Sequence, residues 1–277
     1  MRNLNSKTAL VTGASGGLGR SLCLHLAAAG VNIIAFDKDE KALERLERDL
    51  RATPISFKTV VGDITLDAGI AAVKQVVESE FGRLDMLIHN AGVTHFSQFS
   101  DSGASVTRRV MDINFMGAVV LTDAVLPLIR KSHGSIVAMS SVAGFAPLFA
   151  RTGYSASKHA MHGFFESLRG ELLDDDVHVM MVCPSFIDTQ VRMSKEEVSK
   201  DPHLSRPGSA TETTGTPMTS DFVAGKILQG IVRRKPQLVI GKVAKLSWII
   251  SRISPRFYEK KMIQSTKQEG TTNGGFV

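Results

Sequence analysis

Tyr154 and Lys158, in the segment YSASK, stand four residues apart and bring together a phenol and an ammonium. On a helix, positions i and i+4 share a face, so the lysine approaches the phenolic oxygen. A phenol both gives and takes a proton, but its ordinary pKa of about 10 lies roughly two or three units above a neutral working pH. Lowering it that far takes about 3 to 4 kcal/mol of preferential stabilisation of the phenolate. An ammonium about 4 Å away, at an effective dielectric near 20, supplies about 4 kcal/mol. The pair therefore suits transfer of a proton to or from a substrate oxygen. Tyrosine and lysine also meet at this spacing on many solvated helix faces, so the rest of the chain must decide.

A second group of residues suits a phosphate. Thr12-Gly-Ala-Ser-Gly-Gly-Leu-Gly19 follows an apolar run and opens a helical pattern. At such a junction the N–H groups and dipole of the helix start receive an anion, and glycines let the backbone approach a pyrophosphate. The spacing is TGxxxGxG. It fits GxGxxG poorly, and no GK[ST] follows to make a P-loop. Gly13, Ser15, Gly17, Leu18 and Gly19 are the candidate cofactor contacts here. Asp37 closes the next apolar run, near the separation at which an acid hydrogen-bonds an adenosine ribose. A carboxylate there repels a 2′-phosphate, which favours NAD over NADP, and the neighbouring Lys38 keeps NADP as the alternative.

Short apolar runs alternating with longer amphipathic stretches must position these residues, a pattern of βα units on a parallel sheet. Strands are expected at 8–12, 32–36, 55–61, 84–88, 135–140, 178–182 and 237–240. Helical patterns cover GRSLCLHLAAAG, DEKALERLERDLRA, about 66–82, about 105–131 and YSASKHAMHGFFESLRGELL. The fold class is α/β, a three-layer doubly wound Rossmann fold with a seven-stranded parallel sheet. Residues 1–242 form one dinucleotide-binding and catalytic domain, whose polar, turn-rich stretch 186–220 is read as a substrate loop. A basic amphipathic helical extension at 243–263 and a flexible tail at 264–277 complete the chain.

Composition excludes collagen-like and disordered classes: 43% of the 277 residues are hydrophobic and 22% charged. Cys23 and Cys183 lie far apart in apolar stretches without CxxC spacing, so they read as buried free thiols of a reducing compartment. The apolar run before Gly13 is too short for a signal peptide, and no stretch reaches the length of uninterrupted apolar residues that spans a membrane. A cytoplasmic location is expected, with peripheral membrane contact as an extension. His159, His162 and Glu166 read as a helix face of histidines paired with an acid, and no metal site is expected.

The net charge of +6 is uneven, because 226–261 carries ten Lys or Arg against one acid, Glu259. Within it Val243, Leu246, Ile249, Ile250, Ile253 and Phe257 recur at helical spacing opposite Lys245, Arg252, Arg256 and Lys260, and Pro255 should kink or divide the helix. The apolar row suits a substrate-pocket wall, a subunit contact or an anionic membrane surface. No nucleic-acid reading module accompanies the charge, and nucleic acid is not an expected partner.

Taken together, TGASGGLG, Gly62-Asp63-Ile64, Asn90-Ala91-Gly92, Asn114 in DINFMG, Ser141, the YxxxK pair and PSFIDT resemble, in order and spacing, the short-chain dehydrogenase/reductase family over roughly residues 7–190. The resemblance implies that Asp63 and Ile64 contact the adenine, and that Asn90, Ala91 and Gly92 steady the sheet beside the cofactor. It places Pro184, Ile187 and Thr189 in the nicotinamide-side loop. It makes Asn114, Ser141, Tyr154 and Lys158 the catalytic set, with Lys158 also on the nicotinamide ribose. Ser141 is preferred to Ser140 because the family's serine precedes the tyrosine by 13 residues. His89 stands where the family often has a second asparagine, and Ser185 where it usually has glycine.

The implied function is NAD(H)-dependent interconversion of a secondary alcohol and a ketone, extended to a lipophilic substrate by the apolar C-terminal segment. An NADPH-linked carbonyl or 3-oxoacyl reductase and a non-catalytic cofactor-binding scaffold are the alternatives. A homodimer or homotetramer built on the two long helices is the expected assembly.

Overall fold

The structure is a computed structural model that describes residues 3–188 and 217–272, with side chains of the last helix described to 264. Strands β1 (Thr8–Thr12), β2 (Asn32–Asp37), β3 (Phe57–Val61), β4 (Met86–His89), β5 (Ser135–Met139) and β6 (His178–Pro184) match the expected runs to within two residues at nearly every end. Two dipeptide strands, β7 (Ile187–Asp188) and β8 (Met218–Thr219), pair with each other, and β9 (Gln237–Ile240) completes the main sheet. Its order is β3-β2-β1-β4-β5-β6-β9, with every pairing parallel. The order reverses between β1 and β4, and in an open parallel sheet the crevice at the carboxyl ends of such a pair is where ligands bind.

Both faces of the sheet are covered, which is why β1 and β6 are buried at every residue and read as continuous apolar runs. Ala9 and Val11 point toward α1 (Gly17–Ala28) and α2 (Glu40–Leu50), whereas Leu10 points to the opposite layer. That layer contains α3 (Asp67–Val76), α4 (Phe99–Met111), α5 (Gly117–Lys131) and α6 (Thr152–Glu171). Each fully buried side chain, such as Leu22 or Phe165, contributes about 1.5–3 kcal/mol relative to exposure.

Two helices contain a π-helical turn. One, Val77–Phe81, ends α3 at the left-handed Gly82; the other, Asp112–Met116, joins α4 to α5 and carries Asn114. The combined span Phe99–Lys131 is by length and composition apolar enough to cross a membrane. Here its inward residues, Leu121, Val125 and Ile129, pack on the sheet as those of a core helix do.

Sequence periodicity left out α7 (Ser220–Val232), which packs on α1 through Val223, Ala224, Ile227 and Ile231. Thr219 caps it by accepting from the Phe222 N–H at 3.2 Å, with Asp221 in the first turn, so a start signal was present in the sequence. The expected substrate loop lies mostly outside the described residues.

The C-terminal segment forms α8 (Lys242–Ile253) and α9 (Pro255–Thr272), divided at Pro255, and the backbone stays helical past residue 264. Ala244 and Tyr258 pack against Val142 and Ala146, beside the end of β5. Most of the apolar row faces solvent, Leu246, Ile249, Ile253 and Phe257 being exposed.

Candidate functional site

The glycine loop owes its shape to close contacts. Gly13 has φ +61°, and a Cβ there would stand 2.8 Å from Ala91 Cα. A Cβ on Gly19 would collide with the Gly13 carbonyl. Asn90 holds the loop from the other side, its Nδ2 donating to the carbonyls of Thr12 at 3.1 Å and Gly13 at 3.0 Å. Thr12 Oγ1 accepts from the N–H of Asn90 and of Ala91, each at 3.0 Å. Thr12 opens the motif, and its position at a strand end beside a polar loop is the sequence hint of this role. The N-cap of α1, Gly16, has no side-chain oxygen bonded to the first turn, and that turn carries no acid. Its N–H groups are thus the kind of donors that receive a phosphate.

Asp37 closes β2 and turns back to this loop. Its Oδ2 accepts from Ser15 N–H at 2.9 Å and Ser15 Oγ at 2.7 Å, and its Oδ1 from Lys38 N–H at 2.7 Å. Beside Ser15 lies an open hollow lined by Arg20, Arg45, Arg48 and Asp49. Asp63 Oδ1 accepts from the N–H and hydroxyl of Thr65, a local turn that starts the loop into α3, and the buried Ile64 packs beneath Gly117.

The proton-transfer residues meet at the carboxyl ends of β4 and β5. Asn114 is buried in its π turn, with Oδ1 accepting from Val93 N–H at 2.7 Å and Nδ2 donating to Val93 O at 2.9 Å and Ser157 Oγ at 3.0 Å. A widened turn aims one side chain away from the regular helical direction, and such turns recur at functional sites. Asn114 thereby ties the segment after β4 to α6. Gly92 lies between, where a Cβ would be 3.2 Å from Asn114 Oδ1 and 3.7 Å from Lys158 Nζ.

Tyr154 is half-buried on α6, packed against Val93, Val106 and Val110. Ser141 Oγ accepts from Ala143 N–H at 3.2 Å and hydrogen-bonds the phenol. The other serine, Ser140, turns instead toward the Lys158 carbonyl at 3.4 Å. Burial raises the Tyr154 pKa, opposed by the Ser141 hydrogen bond and then by the charge of Arg151.

The expected approach of the ammonium to the phenol takes the form of a cation over the Tyr154 ring. Lys158 Nζ donates to the Met139 carbonyl at 2.8 Å and stands 5.6 Å from the centroid of the Tyr154 ring. The side chain is buried, so its three donors need acceptors, and among the described residues the carbonyl at the end of β5 is the one it bonds. Burial brings the Lys158 pKa down to about 8. The i,i+4 spacing put both groups on one face, but it does not by itself make the phenol acidic.

The two departures from the family pattern have local explanations. His89 is buried, with Nε2 2.7 Å from Thr122 Oγ1 and its ring tilted on Phe165. Thr122 donates its own hydroxyl to Ala118 O at 2.7 Å, so the His89 Nε2 carries the proton toward it. Burial lowers the His89 pKa to about 3, and the ring stays neutral. Ser185 bonds through its N–H to Ile240 O at 2.9 Å without a positive φ, and the opposing Gly241, at φ +100°, leaves room for its hydroxyl.

Pro184 is buried at the end of β6 and Ile187 is partly buried in β7, both at the same edge; Thr189 lies outside the described residues. His162 bridges Glu166 at 2.7 Å and Cys183 Sγ at 3.5 Å, a nucleophile-like trio. Burial holds the Cys183 thiol near 12, so it is inert as a nucleophile.

The chain matches the short chain dehydrogenase family over residues 7–200. It is 33% identical over 261 residues to a dehydrogenase/reductase SDR family protein 7-like of Drosophila melanogaster, covering 92% of this chain and 79% of that protein. It is 31% identical to dehydrogenase/reductase SDR family member 7B of Rattus norvegicus, covering 96% and 83% respectively. A short-chain dehydrogenase of Mycobacterium paratuberculosis bound to NAD superposes with TM-score 0.74 at 26% identity, covering 86% of this chain and 97% of that one. A Burkholderia phymatum short chain dehydrogenase/reductase in complex with NAD gives TM-score 0.79 at 24% identity, over 91% and 95%, a likeness of fold. The protein belongs to the short-chain dehydrogenase/reductase family and is an oxidoreductase of the dehydrogenase/reductase type.

The expectation of a cytoplasmic location is withdrawn. Its ground was that no segment is long and apolar enough to span a membrane, yet the helix Phe99–Lys131 is so by length and composition. The relatives, SDR family member 7B proteins of rat, cattle and mouse, supply no support for the cytoplasm either.

Proposed function

We propose that the protein interconverts a secondary alcohol and a ketone with NAD(H), using Tyr154 as acid and base. The observation that carries this reading is the convergence of Ser141, Tyr154, Lys158 and Asn114 on the sheet edge that also bears the glycine loop. The site fits a dinucleotide: the uncapped first turn of α1 suits a pyrophosphate, Asp37 an adenosine ribose, and Asp63 and Ile64 the adenine. A bound nicotinamide supplies or accepts the hydride. Ser141 holds the substrate oxygen by a hydrogen bond. Tyr154 gives that oxygen a proton in reduction and takes one in oxidation. Lys158 holds the nicotinamide ribose, and Asn114, whose Oδ1 keeps a second lone pair, positions a water through which protons reach solvent. A panel of alcohols and ketones, followed by the absorbance of reduced nicotinamide, tests the reaction class; no turnover with any of them would favour the scaffold reading.

Asp37 supports NAD, and one observation favours NADP: the hollow bearing Arg20, Arg45 and Arg48 beside Ser15. The Arg20 charge is already paired with Asp49 at 2.7 Å, which weakens that reading. The expected result is a kcat/KM at least about tenfold higher with NADH than with NADPH, narrowing in Asp37→Ala as the like-charge repulsion is removed. A parent enzyme that prefers NADPH would overturn the assignment.

The inner face of α8 and α9 packs on the turn after β5, next to Ser141, and supports an apolar wall for a lipophilic substrate. Phe99, Met116 and Val120, exposed along the α4–α5 span, support a homodimer or homotetramer built there. The outward row Leu246, Ile249, Ile253 and Phe257, flanked by Lys242, Lys245, Arg256, Lys260 and Lys261, supports contact with an anionic membrane surface. The full chain should sediment with phosphatidylserine-containing vesicles and be released by salt, and Leu246→Ser with Ile249→Ser should reduce this severalfold. Equal sedimentation of parent and variant would exclude this face.

A further inference from the structure

Twelve residues join Ser141 to Tyr154, and the last helix of the chain holds that connection near both of its ends. Tyr258 and Met262 stand four apart on α9, so they share one face of it. Tyr258, 8% exposed, packs on Val142 and Ala146, directly after Ser141. The Met262 thioether accepts from the Phe149 N–H at 3.1 Å. The next residue, Ala150, has φ +56°, a left-handed conformation that costs a residue bearing a Cβ. Its carbonyl accepts from the Ser97 N–H at 3.0 Å, so the strained residue lies between two anchored peptide groups, one held by α9 and the other by the segment after β4. Strain of this kind, held in place by neighbours, collects at functional sites. Gly153 then brings the start of α6 against α4, where a Cβ would stand 2.9 Å from Thr107 Cα, and Tyr154 follows.

We propose that Met262 and Tyr258 are positioning residues for proton transfer: α9 sets the placement of Tyr154 relative to Ser141, which makes the C-terminal helices part of the catalytic apparatus as well as a wall. The inference rests on Tyr154 being the acid and base. Both side chains must reach one substrate oxygen at hydrogen-bond distance, and a misplacement of about 1 Å costs up to about a hundredfold in rate. The Ser141 end of the connection is pressed on the body of the fold, since a Cβ on Gly144 would stand 2.7 Å from His162 Cδ2 and 2.9 Å from the Lys158 carbonyl. The Tyr154 end depends on the peptide groups around Ala150. Leucine in place of Met262 keeps the apolar volume but offers the Phe149 N–H no acceptor. Ala150 then leaves its left-handed conformation more readily, and the start of α6 moves with it.

The test compares Met262→Leu and Met262→Gln with the parent, each as the full chain and with the best alcohol found for the parent. Met262→Leu should lower kcat about five- to tenfold while the dissociation constant for NAD stays within about twofold, and the solvent deuterium isotope effect on kcat should rise as proton transfer slows. Met262→Gln, whose side-chain carbonyl also accepts, should restore kcat to within about twofold of the parent. A merely structural methionine would alter the melting temperature or the amount of folded enzyme but leave kcat per folded site and the isotope effect in place. An unmoved kcat in Met262→Leu, or no restoration by glutamine, overturns the proposal. Should Met262→Leu not fold, Tyr258→Leu removes the ring that packs on Val142 and Ala146 and should lower kcat in the same way; an unmoved kcat there is equally contrary. Tyr154→Phe, assayed alongside, separates the two claims. Retained turnover in that variant defeats the acid/base reading, whereas lost turnover with an unmoved kcat in Met262→Leu defeats this inference alone.

Discussion

Tyr154→Phe is expected to lower turnover by about two to four orders of magnitude. The loss follows from the geometry around one oxygen. Phenylalanine keeps the ring and its packing on Val93, Val106 and Val110, so the fold of α6 should survive. What disappears is the hydroxyl that meets Ser141, and with it the group that exchanges a proton with the substrate oxygen. The glycine loop, Asn90 and Asp37 are untouched, because their hydrogen bonds run among themselves and to Thr12 and Ser15. Dinucleotide affinity should therefore change by no more than about threefold, less than one kcal/mol.

The second large effect concerns Lys158 and has opposite signs for stability and activity. Burial holds its folded pKa at about 8, below the unfolded value of about 10.4. Between those values the unfolded chain binds more protons, so stability rises with pH from about 8 to 10.4. Below 8 the buried charge carries its full cost, about 3 kcal/mol from the shift alone. Lys158→Met removes that cost and also the hydrogen bond to the Met139 carbonyl, which is worth about 1 kcal/mol or somewhat more as a charged bond. At pH 7 the variant should be more stable by about 1–2 kcal/mol, and the gap should shrink as pH rises to 10. Turnover should fall and the apparent KM for the dinucleotide rise. Urea unfolding of both proteins at the two pH values checks this; a variant less stable than its parent at pH 7, or a gap independent of pH, would count against a strained ammonium.

Why much of this was legible in the sequence, and some not, has physical reasons. β1, β5 and β6 are buried on both faces, so their runs of Ala, Val, Ile, Leu and Met announce strands without needing alternation. The glycine loop is legible because steric contacts, at Gly13 against Ala91 and at Gly19 against Gly13, leave no room for a Cβ. α7 was less visible: it follows a stretch of sequence without clear periodicity, and its buried residues include the small Ala224 and Gly230.

Spacing placed Tyr154 and Lys158 on one face, but the choice of hydrogen-bond acceptor is a tertiary fact. Met139 lies on β5 and offers only a backbone carbonyl, which no side-chain pattern advertises. The π turn under Asn114 left no mark either, since DINFMG reads as an ordinary amphipathic continuation. Arg151 looked like one charge among many in a loop, and only the packing of Thr94 and Phe96 around it shows that it is buried.

The most direct test of the central claim is to measure, on the same preparation of Tyr154→Phe, NAD binding by calorimetry and hydride transfer to or from the best substrate found for the parent. The expected result is a dissociation constant near the parent's with turnover reduced at least about a hundredfold. Turnover within tenfold of the parent, or binding lost together with turnover, would contradict it.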